Sequence, residues 1–228
     1  MSREAQFLPS VMLAGGVLCA LLAAAIWLLL RRRHDARSVR LWSCGSLALA
    51  AGLTLIGQRS ALPAWVGDQL AYSLLQWSLV LKLWALRRDL GLPLRVRWLS
   101  TATLVAMFAF HLAMQSPHIA PRAVLGTLTL VAGLVALAWH ARMAGQRTPS
   151  PSGAVMAWAE SIAAVCILSC MLVLLGVWPQ QLALPGIGPF AVLITMAAFC
   201  AVCSNLAYLG MELDRLAASE RRARAEER

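Results

Sequence analysis

The chain has 228 residues, 60% of them hydrophobic and 13% charged, with a formal net charge of +10. Soluble domains carry about 45–50% apolar and about 25% charged residues, so this composition excludes a water-soluble globular protein and points to an integral membrane protein. The positive excess would suit nucleic acid, but the arginines cluster beside the ends of apolar stretches rather than along one amphipathic face, so no nucleic-acid partner is expected.

A hydrocarbon core about 30 Å thick needs roughly 20 apolar residues in a helix. Seven stretches meet that need: residues 8–30, 41–57, 65–86, 98–114, 124–140, 154–177 and 190–209. The alternating strands of about ten residues that build a membrane β-barrel are not visible. The expected fold is all-α, a seven-transmembrane helix bundle over residues 1–209, followed by a helical tail over residues 210–228. Its first partner is the lipid bilayer.

The first span lacks a basic region before it and is followed by Arg31, Arg32 and Arg33, which marks an uncleaved crossing rather than a secretory signal. Cys19 lacks the small preceding residue that lipoprotein processing prefers. Gly15 and Gly16 on this span, with Gly45 and Gly52 on the second, predict close helix packing. The loop after the second span carries Arg59 and Asp68, and the outer half of the third carries Gln69 and Gln76. With His111 of the fourth span, these five are the candidate ligand-binding residues.

Lys82 in the third span and Glu160 in the sixth are the acid and base residues well inside the apolar stretches. At about 1.5 Å per residue they share one depth, roughly 6–9 Å from the same boundary. A charge there is costly unless it is paired or reaches the interface. Two readings stand: an interhelical charge pair, or Lys82 snorkelling to phosphate with Glu160 as a cap.

From the fourth span into the loop after it, Met107, His111, Met114 and His118 follow one another at spacings of four, three and four. Thioether and imidazole ligands would suit copper, but core packing with one loop histidine is the expected role, and neither a metal nor a cofactor is expected. The six cysteines, Cys19, Cys44, Cys166, Cys170, Cys200 and Cys203, all fall within spans, as suits small apolar packing residues rather than loop disulfides. The last span contains no lysine, which excludes a retinal Schiff base on that helix. Pro179-Gln180 resembles the dipeptide of seven-helix sugar transporters but falls in a loop. No phosphate loop, H-E-x-x-H or G-x-S-x-G is present, and no catalytic residue is assigned.

Charge asymmetry sets the expected orientation. Sixteen of the twenty basic residues follow the odd-numbered spans, among them Arg31–Arg33, Arg87, Arg88, Arg142, Arg147 and Arg215, whereas Arg3, Arg59 and Arg122 lie on the opposite side. The positive-inside rule places the N-terminus outside and the tail in the cytoplasm. Tryptophans support it by belt position: Trp27, Trp42, Trp84, Trp98, Trp139 and Trp158 near the cytoplasmic ends, Trp65 and Trp178 near the outer ends.

From the end of the last span into the tail, Leu206, Leu209, Leu213 and Leu216 alternate at spacings of three and four, the seam of a coiled coil, and predict a homodimer. After Gly210 no Gly, Asn or Pro appears to stop the helix. The expectation is a signalling helix that continues into a cytoplasmic output domain.

Several motifs carry a resemblance. A Trp opens the second helix (Trp42), Gly52 lies within it, Arg59, Pro63 and Trp65 form an Arg-x-x-x-Pro-x-Trp entry to the third, and Arg87, Arg88 and Gly91 close it. NLAYLGMELDR, residues 205–215, is similar to the exit of the last helix in such proteins. The chain thereby resembles the seven-helix membrane sensor modules of bacterial histidine kinases and diguanylate cyclases. Relatives carry an Asn in the third helix where this chain reads AYSLLQW, so no ligand contact is carried over there. The resemblance implies an input module in the bacterial inner membrane. An unidentified stimulus would shift the helices, and the last helix would pass that movement to a two-component histidine kinase, or alternatively to a cyclase. A small transporter is the reading from a different class.

Overall fold

The computed structural model describes residues 3–31, 36–116, 118–147, 150–177 and 188–226. Every regular element among them is helical: α1 (Arg3–Leu30), α2 (Ala36–Gly57), a π-helical turn (Trp65–Leu70) leading into α3 (Ala71–Asp89), α4 (Val96–Met114), α5 (Ile119–Arg147), α6 (Pro151–Leu174) and α7 (Pro189–Glu226). Six are long and apolar enough to cross a membrane. The exception is α3, whose 19 residues include Lys82, Arg87, Arg88 and Asp89. Large apolar side chains face outward around the bundle, among them Leu21, Phe108, Val165 and Phe199. Surface of that kind has no place in water and belongs against lipid, so the chain is a multi-pass membrane protein.

Neighbour contacts define a ring. Helix α1 packs on α2, α2 on α3, α3 on α5, α5 on α6, α6 on α7, and α7 returns to α1. Helix α4 stays outside this ring, against α3 and α5. Small residues allow the close approaches expected from the sequence. A Cβ on Gly153 would lie 2.6 Å from the Cα of Gly145, so α5 and α6 touch backbone to backbone. At Gly45 a Cβ would lie 3.0 Å from both the Lys82 stem and the Ser78 carbonyl, which brings α2 onto α3 at the depth of the buried lysine.

Most basic residues gather at one end of the bundle, where α1, α3 and α5 finish and α2, α4 and α6 begin; this is called the basic end below. Several of its turns are pinned by arginine. Arg87 donates to the Pro93 carbonyl at 2.6 and 2.9 Å, and Arg147 donates to the Leu90 carbonyl at 2.5 Å. Ser150 caps α6, accepting from the Ser152 amide at 3.2 Å, and its hydroxyl donates to Asp214 of α7.

Helix α7 runs 38 residues, about 57 Å at 1.5 Å per residue, and so extends well past a hydrocarbon core about 30 Å thick. The tail is therefore continuous with the last apolar helix. Along it, Leu209 and Leu216 pack against the bundle's main core while Leu206 and Leu213 are exposed.

The tryptophans divide in a way composition does not reveal. Trp65, Trp98, Trp139 and Trp158 are exposed, as belt residues are, but Trp42 is fully buried. Its indole N–H has an internal partner, so it serves as a core residue and is no interfacial anchor. Trp178, with Pro179 and Gln180, lies outside the described residues.

Candidate functional site

Inside the ring lies a cavity of about 280 Å³. All six ring helices contribute to its wall and α4 does not: Met12 from α1, Leu53 from α2, Leu79 from α3, Leu130 from α5, Ala163 from α6 and Ile194 from α7 are representative. Lys82, Ser78 and Glu160 form its polar floor, towards the basic end, and Arg59 stands at the far end. An adjoining space shares Leu8, Met12, Ile56, Arg59 and Phe190 with it.

Lys82 and Glu160 face the same cavity, 2% and 5% exposed, so the lysine does not snorkel. Each has its own neighbour. The Lys82 ammonium sits over the Trp42 ring, 5.0 Å from its centroid, a cation–π arrangement. The Glu160 carboxylate accepts from the Ser204 hydroxyl at 2.5 Å. Among the described residues the two charges do not close to an ion pair within 4.0 Å.

Below the floor, Asn205 of α7 forms a hub. Its side-chain carbonyl accepts from the Trp42 indole at 3.0 Å and the Ser46 hydroxyl at 2.6 Å, both on α2. Its amide donates to the Ala201 carbonyl at 3.0 Å and points to the Cys19 sulfur of α1 at 3.8 Å. Three helices are thus joined by one side chain. One turn on, Tyr208 stacks on Trp42 with ring centroids 4.0 Å apart and planes inclined by 4°.

The stack leads to a charged cluster at the root of the α7 extension. The Tyr208 hydroxyl donates to Asp89 of α3 at 3.5 Å, and Asp89 meets the Arg215 guanidinium at 3.2 Å. Arg215 also holds Glu212 at 2.5 Å. Burial, then the neighbouring Glu212 charge, pushes the Asp89 carboxyl up to about 6, against the opposing pull of Arg215 and a hydrogen bond from Ser38. A continuous line of contacts therefore runs from the cavity floor through Lys82, Trp42, Tyr208 and Asp89 to Arg215.

Of the five ligand-binding candidates, Arg59 reaches the cavity. Asp68 and Gln69 lie in the π-helical turn, half-buried. Gln76 faces α5, donating to Tyr72 at 3.0 Å and to Thr129 at 2.8 Å, and Tyr72 and Thr129 are themselves hydrogen-bonded. His111 is on α4, outside the ring, where Gln115 approaches its ring at 3.4 Å. Sequence reasoning did not single out Asn205, Tyr208, Asp89 or Glu212 as functional residues. Asn205 was visible as the first residue of the NLAYLG exit, and an amide within an apolar helix is a signal in its own right.

These elements define a multi-pass helical membrane protein with an internal cavity and a polar line of contacts from its floor to a helix that projects from the bundle. Comparison with family models, with curated proteins and with solved structures finds no match to the chain.

Proposed function

We propose that this chain is the sensory input module of a bacterial two-component signalling protein, with α3 as the seventh crossing, the N-terminus outside and the basic end in the cytoplasm of an inner-membrane protein. The observation that carries the reading is the line of contacts from cavity floor to α7 extension. A displacement of Lys82 or Glu160 bears directly on Trp42 and Ser204. Through the stack and the Asp89–Arg215 contact it bears on the rotation and height of the projecting helix. Small helix shifts of this kind are a recognised way to switch an output. The exposed Leu206 and Leu213 provide a face for pairing with a second copy. The resemblance of residues 205–215 to the kinase exit favours a histidine kinase output over a cyclase.

The test uses the full chain in lipid nanodiscs with spin labels at Ser219, where distances between two copies report on the extension. Wild type should give a defined distance that changes with Lys82→Met and with Asn205→Leu. A chain that stays monomeric, or an extension indifferent to both variants while helicity is retained, would count against the reading. Orientation is tested with an impermeant maleimide on intact cells, which should label Ser60→Cys and spare Ser219→Cys.

Transport is the second reading, favoured by the cavity that six helices line. Solute uptake into liposomes containing the chain, without movement of the α7 label, would replace the sensory reading with it.

A further inference from the structure

The floor of the central cavity has an unmet hydrogen-bonding capacity. Ser78 and Lys82 are four residues apart on α3 and so share one helical face. The Ser78 side chain is 1% exposed and lines the cavity, and its hydroxyl has no hydrogen-bond partner among the described residues. A buried hydroxyl left in that state carries an uncompensated desolvation cost, which a polar atom inside the cavity would relieve. Beside it, the Lys82 ammonium has three donors. The Trp42 ring occupies one side of that group, and Lys82 lines the same cavity as Ser78.

The chemistry of the floor discriminates by charge. Lys82 and Glu160 lie together there and offset one another, so a cationic head would be set against the ammonium and an anionic head against the carboxylate. A neutral oxygen that accepts from Lys82 and Ser78 meets neither repulsion. Between the floor and Arg59 the wall is apolar apart from Thr127 and Cys170. At about 280 Å³ the cavity stands near the small end of ligand pockets, roughly 300–1,000 Å³, which suits one chain or ring rather than a two-chain lipid.

We propose that the cavity binds a neutral, mostly hydrocarbon molecule with one carbonyl or hydroxyl oxygen, held by Lys82 and Ser78 at the floor. The class comprises lipophilic ketones, quinones and alcohols. That such a molecule is the stimulus rests on the sensory reading above; its binding does not.

The experiment uses the full chain in nanodiscs with four probes of matched chain length: 2-undecanone, undecane, undecanoate and undecylamine. Calorimetric titration should show saturable one-to-one binding of the ketone, with the other three at least about tenfold weaker, as expected of a site built to hydrogen-bond its ligand. Ser78→Ala, which removes one small polar atom and leaves Trp42 and Glu160 untouched, should weaken the ketone about fivefold to tenfold and leave undecane unchanged. Ala163→Phe, which fills the cavity, should abolish saturable binding. Equal uptake of all four probes, or ketone affinity indifferent to both variants, would show partitioning of hydrocarbon alone and overturn the proposal. Mass spectrometry of extracts from the purified chain separates the sources. A neutral carbonyl lipid lost on Ser78→Ala supports a ligand from the membrane, and saturable binding of added ketone alone supports one from outside. Ketone binding that leaves the Ser219 label unmoved overturns the sensory reading and keeps the site, whereas label movement in Asn205→Leu without ketone binding does the reverse.

Discussion

Near the basic end, Trp42, Tyr208, Ile26, Leu30, Leu86, Leu137, Met156 and Met211 form one buried cluster, and Asn205 ties α1, α2 and α7 through it. A few turns along the same helices, Leu53, Leu79, Leu130 and Ile194 face a cavity, and the buried clusters there are small and separate. The helices are shared, so composition does not account for the difference. What differs is the inward-facing set: aromatic rings with polar handles fill one half, and aliphatic and alanine side chains leave the other hollow. Densely packed interiors transmit displacement because neighbours have no room to absorb it, whereas a hollow region adjusts at lower cost. One half is suited to receiving a perturbation and the other to passing it on as a unit.

The comparison breaks most severely at Trp42. Trp42→Ala removes the Tyr208 stack, the cover over Lys82 and one donor to Asn205, and should cost about 3–5 kcal/mol of stability. Denaturant titration in detergent measures it, and a loss below about 1 kcal/mol would mean that the dense half is not what holds the bundle. A matched pair sharpens the contrast. Ala207→Leu adds volume to the dense cluster and should cost about 1–3 kcal/mol, while Ala163→Leu points into the cavity and should stay within about 1 kcal/mol of wild type. Equal costs would erase the distinction.

The smallest effect is a pH dependence at the exit of the dense half. The Asp89 carboxyl stands at about 6 in the folded chain against an ordinary value of 3.8, so protonation favours the fold. Its contribution is full below the ordinary value and is lost as pH rises through about 6. Wild type should therefore lose about 1 kcal/mol of stability between pH 5 and pH 7 that Asp89→Asn does not lose. Parallel pH profiles would argue that Asp89 is more solvated than its 5% side-chain exposure indicates.

How far the site could be read from the chain depends on the kind of residue. Lys82 and Glu160 stand out because a charge in an apolar run is costly wherever its helix faces. Asn205 is neutral, and its importance lies in reaching Trp42, Ser46 and Cys19, which are 163, 159 and 186 residues away in sequence. Trp42 reads as a headgroup anchor by its position near a helix end, and only its partners reveal a core residue. Asp89 follows a basic pair and resembles a loop charge until α7 supplies Arg215 and Glu212. Gln76 and His111 have suitable chemistry, but one faces α5 and the other lies on the helix outside the ring.

Hydropathy and length by themselves determined that the chain is helical and bound to a bilayer, since backbone groups in hydrocarbon must be satisfied within each segment. Arginine placement distinguished the two ends, and the lack of a helix breaker made α7 continuous with its extension. The exclusion of α4, the cavity and the meeting of Lys82, Trp42 and Tyr208 were decided by tertiary structure alone. Helices that are apolar on every side carry little periodic signal of which face turns inward. That choice is made by side-chain shape and by the few hydrogen bonds that can form only once the ring has closed.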